Sequence, residues 1–342
     1  MGLIETDKLK PIWRPTNPHD RFCRRTAFHP MYASDFLKSY GDPLLKKYVD
    51  LDNLQEAPTS HLSDELKELI LDAALTTRLL KSPSLSEVYC HMEHKSKPSR
   101  TVAVQLLAGV GFSLRFRWLQ SGRPESSSFD PPIPLMIVVY NGVEDWDGEI
   151  WFQDLFPDLP EELRSFVPQF QVFVINLRRF RYGGLPGRPE TQAIAESMMR
   201  TTDGTFIDHL PDIFTHVAEA DLSEPLRLDL TRSIASYGTY SVQATAEQIV
   251  DTITTVFKRK EFSTMIETIT NSYVLECIAI GEARGEARGE ARGEARGEVR
   301  GIEIGANKKQ AEIVRNMKRK GLSVKDIADL TGLVPAEIEL LD

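Results

Sequence analysis

One short apolar run, IPLMIVVY at residues 133–140, constrains the fold of this chain more than any other feature. The run is far too short to cross a bilayer, and a continuous apolar strand of this kind is typical of the buried centre of a sheet. Such a strand needs cover on both faces, which helices provide in α/β proteins. The Asn141–Gly142 pair that follows is a turn signal, so the strand is predicted to end there.

The patterns on either side of this strand predict a mixed α/β core, in which a hairpin and a crossover helix precede it. The turn residues SPSLS at 82–86 separate the two strands of the predicted antiparallel hairpin. The other predicted elements are a helical opening at 17–40 that is interrupted near Pro30, hairpin strands that end near Leu80 and span 87–93, a helix at 98–118, and a strand at 171–177.

The length of 342 residues exceeds what one hydrophobic core usually spans, so at least two folded units are predicted. From about residue 188 the strand pattern gives way to amphipathic pieces with helical period, and then to the tetrapeptide repeats GEARGEARGEARGEARGEVR. A period of four would place Glu beside Glu and Arg beside Arg at the i,i+4 positions of a helix, so no Glu–Arg pair forms at that spacing. The repeats are therefore predicted to be a spacer. The predicted regions are an extension at 1–16, the α/β core at 17–187, a helical subdomain at 188–280, the spacer at 281–305, and a helix-turn-helix-like tail at 306–342.

Composition and charge argue against several classes of protein. A content of 41% hydrophobic and 27% charged residues is that of a globular chain, and the three widely spaced cysteines form neither a zinc pattern nor a disulfide framework. The opening residues lack the apolar core of a signal peptide, so we predict a cytoplasmic protein that has no membrane partner. A net charge of −9 argues against a protein that coats nucleic acid non-specifically.

Two basic segments stand out in this acidic chain. Residues 89–123 carry six cations against one acid, and residues 178–188 add four arginines with no acid. Each segment is either a solvated basic face or a surface for a polyanion, and charge alone favours the first of these. Lys97 and Arg100, within the first segment, are the candidate DNA contacts.

The sequence VYCHMEHKSKPSR places Glu93 and Lys95 two residues apart in a strand, so they share one face while His94 points the other way and is expected to pack. Asp72, inside the apolar run LILDAAL, lies 21 residues before Glu93, which is enough for two strands and a turn. Two neighbouring carboxylates repel each other, and a divalent cation is the natural remedy. Mg²⁺ or Mn²⁺ beside a lysine is an arrangement that phosphodiester hydrolysis uses. A structural ion cluster of the same side chains stays open as the alternative.

Four segments, in this order and spacing, resemble the Rpn/YhgA-like transposase family of recombination-promoting nucleases in the PD-(D/E)XK superfamily. The segments are NPHDRFCRRTAF, APTSHLSDELKELILDAAL, VYCHMEHKSKPSR and PLMIVVYNGVEDW, and the resemblance covers roughly residues 15–300. It implies a PD-(D/E)XK nuclease-like mixed sheet core flanked by helices, with the strand acid at Asp72 and the family's EHQS strand at Glu93 to Ser96. It also implies an additional acid from the first helix. Asp20 is the matching position, and an N-terminal helix cap is the alternative role for it.

Two departures from the family pattern bear on activity. Lys95 replaces the usual glutamine and is the residue more typical of the wider superfamily, whereas Leu71 stands where the superfamily name expects proline. The resemblance implies a Mg²⁺- or Mn²⁺-dependent DNA endonuclease that promotes recombination or transposition-like events. Its catalytic residues would be Asp72, Glu93 and Lys95, the first two as metal ligands. A catalytically decayed interaction protein and a DNA-binding regulator that acts through the tail stay open, and a homo-oligomer is compatible with each function.

Overall fold

The computed structural model divides the chain into two compact units, Met1–Glu276 and Cys277–Asp342. The described residues are 18–57, 72–81, 87–122, 129–146, 150–180 and 184–259 in the first unit, and 307–341 with a few positions between 294 and 305 in the second. The predicted extension, the hairpin turn SPSLS at 82–86, the end of the predicted helical subdomain after residue 259 and most of the GEAR spacer lie outside the described residues.

The first unit combines a sheet with flanking helices. Its helices are α1 (Pro18–Arg25), α2 (Pro30–Tyr40), α3 (Pro43–Tyr48), α4 (Val102–Gln120), α5 (Pro189–Asp203), α6 (Phe206–Glu219), α7 (Glu224–Ser241) and α8 (Ala246–Arg259). Its strands are β1 (Gln55–Glu56), β2 (Ala73–Thr77), β3 (Val88–Lys95), β4 (Ile133–Tyr140), β5 (Ile150–Trp151) and β6 (Gln171–Asn176). Short 3₁₀ helices lie at Leu51–Asn53, Phe152–Leu155, Glu161–Phe166 and Leu177–Phe180.

The strands of the described residues form one mixed sheet in the order β1-β2-β3-β4-β6-β5. The strands β3, β4 and β6 run parallel, whereas β1, β2 and β5 pair antiparallel with their neighbours. The strands β2 and β3 form the predicted antiparallel hairpin, and α4 makes the crossover from β3 to β4. The fold is therefore the mixed α/β architecture that the sequence predicts.

The strand β4 is the central strand that its apolar sequence predicts, because it lies between β3 and β6. Ile137 and Val139 point to one side of the sheet and Val138 to the other, and all three are fully buried. Val138 belongs to one hydrophobic cluster with Leu106 of α4, so α4 covers that face. Burial on both faces of β4 thus explains why its sequence does not alternate between apolar and polar residues.

By length and composition, α4 is the one helix of the described residues that could cross a membrane. The core helix of a soluble protein passes the same test. Val102, Leu106 and Val110 pack into the hydrophobic cluster against the sheet, as a crossover helix requires. The far half of the helix carries Arg115 and Arg117, which are exposed. Packing on the sheet therefore accounts for the apolar composition of the first half of α4.

Several element boundaries differ from the sequence prediction. The strand β2 ends at Thr77 instead of near Leu80. The strand β3 continues to Lys95 instead of ending at Glu93, because its parallel ladder with β4 persists as far as the pair of Lys95 and Tyr140. The helix α4 begins later than predicted, at Val102, because the residues before it form a turn. As a consequence, regular strand backbone holds both Glu93 and Lys95.

An aromatic stack fixes α1 to the helical part of the first unit. The ring of Phe22, which is fully buried, lies parallel to the ring of Tyr237 in α7 at a centroid distance of 4.1 Å. The Nδ1 atom of His19 lies 2.7 Å from the Tyr237 hydroxyl oxygen, which adds a polar contact to the stack. This packing holds α1 so that Asp20 and Arg24 reach the end of β3 and the start of β2.

The second unit has a small hydrophobic core of its own. Its helices are the described stretch 307–319, α9 (Val324–Thr331) and α10 (Pro335–Leu340). The fully buried side chains of its core are Val314, Ile327 and Ile338, one from each helix. Ser323 caps α9, because its hydroxyl accepts the backbone N–H of Asp326 at 3.2 Å. Among its described residues, three helices therefore pack around this small core.

Candidate active site

Glu93 and Lys95 lie at the end of β3, on the face of the sheet that α4 covers. The strand alternation places both side chains on one face, and the Lys95 Nζ lies 2.6 Å from the Glu93 Oε1. The register with β4 pairs Glu93 with Val138, which belongs to the α4 cluster. Glu93 is only 8% exposed, so water screens its charge poorly.

Asp72 lies directly before β2, opposite Glu93 when the register of the hairpin is continued by one pair. The Asp72 N–H donates to the Glu93 Oε2 at 3.3 Å. The Asp72 Oδ2 accepts the backbone N–H of His94 at 2.8 Å, and the Oδ1 accepts the Arg24 Nη2 at 3.2 Å. The structure therefore brings the acid of the first hairpin strand and the acid of the second side by side.

Burial and charge repulsion raise the pKa of both carboxyl groups. Loss of water raises the pKa of Asp72, and the nearby charge of Asp20 raises it further, against opposing hydrogen bonds and cations. Loss of water also raises the pKa of Glu93, the charge of Asp72 adds to this, and the Lys95 ammonium acts in the opposite direction. Ionising both carboxyl groups is therefore costly, and a bound cation would lower that cost.

These raised pKa values predict how the stability of the metal-free protein changes with pH. A raised pKa in the folded state means that the folded protein binds protons more tightly than the unfolded chain. The contribution of the two carboxyl groups to the free energy of unfolding is therefore fully present below their pKa in the unfolded chain, which is about 4. It is lost as the pH rises through the folded pKa values of Asp72 and Glu93. We expect Asp72→Asn to raise the Tm relative to the wild type increasingly as the pH rises from about 4 to neutrality. Parallel curves of Tm against pH would contradict the expectation.

His94 points to the opposite face of the sheet from Glu93 and Lys95, as the alternation predicts. It is buried there, as expected for a packed side chain, and both of its ring nitrogens also have polar partners. Its Nδ1 lies 3.1 Å from the Asp20 Oδ1, and its Nε2 lies 2.9 Å from the Asn141 Oδ1. The His94 side chain is only 3% exposed, so these contacts satisfy polar atoms that water cannot reach.

Asp20 is the third residue of α1, and its side chain reaches His94 on the face of β3 opposite Glu93. Its carboxylate contacts the imidazole of His94, and its charge contributes to the raised pKa of Asp72. The side chain is about a quarter exposed, at 26%, whereas Asp72 and Glu93 are nearly buried. The predicted additional acid therefore lies close enough to Asp72 for its charge to raise the pKa of that carboxyl, and its carboxylate contacts the histidine.

Lys97 and Arg100 lie in the turn between β3 and α4, and both are exposed. They follow Lys95 directly along the chain, so the first basic segment begins at the site. Arg117, at the far end of α4, lies 3.8 Å from Glu87. The two candidate DNA contacts are therefore available to a ligand that approaches the end of β3.

Sequence reasoning missed two residues that organise the site. Arg24 forms an ion pair with Asp72, and its position in RFCRR carries no local signal of this contact. Asn141 was interpreted as a turn signal, yet it is 2% exposed and joins His94 to α5 through the Met198 carbonyl. No local pattern reports such contacts, because they join segments that are distant in the sequence.

The donor set at the site can be tested against the metal ion that the resemblance implies. The described residues contain no group of three or more His, Cys, Asp or Glu side chains that could hold a metal ion. Asp72 and Glu93 nevertheless form a pair of hard oxygen donors, and Mg²⁺ is commonly bound through one or two protein carboxylates together with waters and substrate phosphates. The pair fits Mg²⁺ or Mn²⁺ on these terms, with the other ligands supplied by water, phosphate or a backbone carbonyl.

The six-stranded mixed sheet with flanking helices is consistent with a nuclease-like α/β fold. Residues 17–224 match the sequence model of the family described as "Putative transposase, YhgA-like". This match covers more than half of the chain, so the protein belongs to the YhgA-like transposase family.

A curated relative, from Escherichia coli strain K12, carries the name "Inactive recombination-promoting nuclease-like protein RpnE". It is 25% identical to this chain over 128 residues, which are 37% of this chain and 40% of the relative. The shared segment is thus less than half of the relative's length. The comparison with solved structures found no match.

The family model and the curated relative together confirm the resemblance to the Rpn/YhgA-like family.

Proposed function

We propose that the protein is a Mg²⁺- or Mn²⁺-dependent DNA endonuclease that promotes recombination or transposition-like events. The observation that carries this proposal is the convergence of Asp72, Glu93 and Lys95 at one point of the sheet. Membership of a transposase family supports DNA as the substrate. The exposed cations Lys97 and Arg100, in the turn that follows, support binding of its phosphate backbone.

Each side chain of the site has a separate role in the proposed hydrolysis. Asp72 and Glu93 would hold the ion, which when bound supplies positive charge to the scissile phosphate and to the attacking water. The N–H of His94 and the guanidinium of Arg24 hold the Asp72 carboxylate in place. The Lys95 ammonium stabilises the negative charge that develops on the phosphate oxygens, in a setting where charges are poorly screened.

A catalytically decayed interaction protein is the second candidate. The curated relative is called inactive in its name. Both carboxylates already have a cationic partner in this chain, Arg24 for Asp72 and Lys95 for Glu93. A structural ion cluster of this kind would be complete without a metal ion. The two candidates therefore differ in whether divalent ions change the behaviour of the protein.

A plasmid cleavage assay tests the proposed function. The purified protein is expected to nick or linearise supercoiled DNA with Mg²⁺ or Mn²⁺ and to stop when the ions are chelated. Asp72→Ala is expected to abolish cleavage, because it removes one of the two carboxylates. Asp52→Ala is the matched control, since Asp52 is an exposed acid that pairs with Lys38. Equal cleavage by the wild type and Asp72→Ala would remove the assignment, and a wild type that does not cleave favours the decayed protein.

A further inference from the structure

The imidazole of His94 connects three elements behind the proposed site. Asn141 donates its Nδ2 to the Met198 carbonyl of α5 at 2.9 Å, which turns its Oδ1 toward the His94 Nε2. On the other side of the ring, the Nδ1 lies 3.1 Å from the Asp20 Oδ1 of α1. Both ring nitrogens therefore face oxygen atoms, and the ring lies between Asn141, directly after β4, and Asp20 of α1.

The backbone of the same residue holds a proposed metal ligand. The His94 N–H donates to the Asp72 Oδ2 at 2.8 Å, so the position of this peptide fixes one oxygen of that carboxylate. Side chains of neighbouring residues in β3, Glu93 and Lys95, lie on the opposite face. The contacts of the His94 ring with Asp20 and Asn141 therefore also help to hold the His94 peptide, whose N–H orients the Asp72 carboxylate.

We propose that Asp20 is a positioning residue that acts through His94 to orient Asp72, and that it is not a third metal ligand. The inference rests on the proposed function for the metal, but the link from Asp20 to His94 stands on the geometry alone. An acid that orients a histidine, which in turn orients a ligand, resembles the outer-shell partners that support metal sites in general.

The position of Asp20 supports this role over direct ligation. Its contact atom faces the side chain of His94, on the face of β3 from which Glu93 points away. Asp72 and Glu93 are joined by the Asp72 N–H and are nearly buried, whereas the Asp20 side chain is about a quarter exposed. The Asp20 carboxylate thus contacts the imidazole of His94, while its charge also raises the pKa of Asp72.

Three variants of the full chain separate the two roles. Asp20→Ala removes the contact with the His94 ring, whereas Asp20→Asn keeps an oxygen acceptor there and removes only the charge. His94→Gln keeps an amide donor near the former Nε2, so it can hold Asn141 while losing Asp20. The double variant Asp20→Ala/His94→Gln closes a double-mutant cycle, and Asp52→Asn is the control for loss of a surface acid.

The readouts are the plasmid cleavage rate, the Mn²⁺ concentration that gives half of the metal-induced Tm shift, and the Tm without metal. If Asp20 acts through His94, Asp20→Ala and His94→Gln should each lower the cleavage rate by about 10- to 100-fold, and the double variant should be no worse. Asp20→Asn should stay close to the wild type in its Mn²⁺ midpoint. Additive losses in the double variant, or a Mn²⁺ midpoint in Asp20→Asn as high as in Asp20→Ala, would overturn the proposal.

The same variants distinguish failure of this inference from failure of the proposed function. If the wild type neither cleaves DNA nor responds to Mn²⁺, the nuclease proposal fails, whatever Asp20 does. The double-mutant cycle of Asp20→Ala and His94→Gln, measured as Tm values without metal, then tests the coupling of Asp20 to His94 by itself. Losses that do not add support the coupling of Asp20 to His94, and losses that add refute it.

Discussion

Replacing Lys95 by alanine is expected to lower the rate of DNA cleavage by about 10²- to 10³-fold while leaving binding of Mn²⁺ intact. The Lys95 Nζ lies 2.6 Å from the Glu93 Oε1, so it brings a positive charge to the place where the scissile phosphate would bind. An ammonium group has no lone pair to offer a metal ion. Its removal should therefore slow the chemical step and, by freeing Glu93, maintain or tighten Mn²⁺ binding. Single-turnover cleavage and calorimetric titration measure the two effects.

Lys97→Ala is the matched control for the loss of a lysine. Lys97 is exposed in the turn that follows β3, two residues beyond Lys95. Its removal should weaken DNA binding slightly and reduce the salt dependence of binding, with little change in the cleavage step. Equal loss of the cleavage step in both variants, or an unchanged rate in Lys95→Ala, would contradict the role assigned to Lys95.

The largest effect on stability is expected from Phe22→Ala, which should lower the free energy of unfolding by about 3–5 kcal/mol. Phe22 is fully buried and stacks on Tyr237, so the substitution leaves a cavity between α1 and α7. Because α1 also carries Arg24, which pairs with Asp72, cleavage should fall even where the variant is still folded. Denaturant unfolding and the cleavage assay, at temperatures below the Tm of the variant, measure both effects.

Phe166→Ala provides the comparison for this prediction. Phe166 is 80% exposed, so its loss should change the free energy of unfolding by no more than about 0.5 kcal/mol. Similar unfolding curves for the two alanine variants would show that the stack of Phe22 on Tyr237 does not hold α1 in place.

The centre of the fold could be predicted because its signals are local. The run at 133–140 has no polar alternation, and only a strand covered on both faces suits it. The predicted hairpin allows Asp72 to lie beside Glu93, because 21 residues leave room for two strands and a turn. The register of β2 and β3 then places the two residues opposite each other. Strand alternation also gave the shared face of Glu93 and Lys95.

The surroundings of the site could not be predicted in the same way. Alternation gave the direction of His94 but not its partners, which come from α1 and from the residue after β4. Arg24 and Asn141 contribute through contacts between distant segments, and those contacts depend on how the helices pack. A sequence pattern records spacing along the chain, so it does not report which side chains meet across the core.

The most direct test of the account is a calorimetric titration of Mn²⁺ into the metal-free protein at neutral pH. We expect the wild type to bind about one ion per chain and Glu93→Gln to weaken this binding severely, because an amide replaces one of two charged ligands. Glu87→Gln is the control, because Glu87 lies directly before the first residue of β3 and pairs with Arg117, so this variant should bind as the wild type does. Equal binding by the wild type and Glu93→Gln, or no binding by the wild type, would contradict the claim that Asp72 and Glu93 form a metal site.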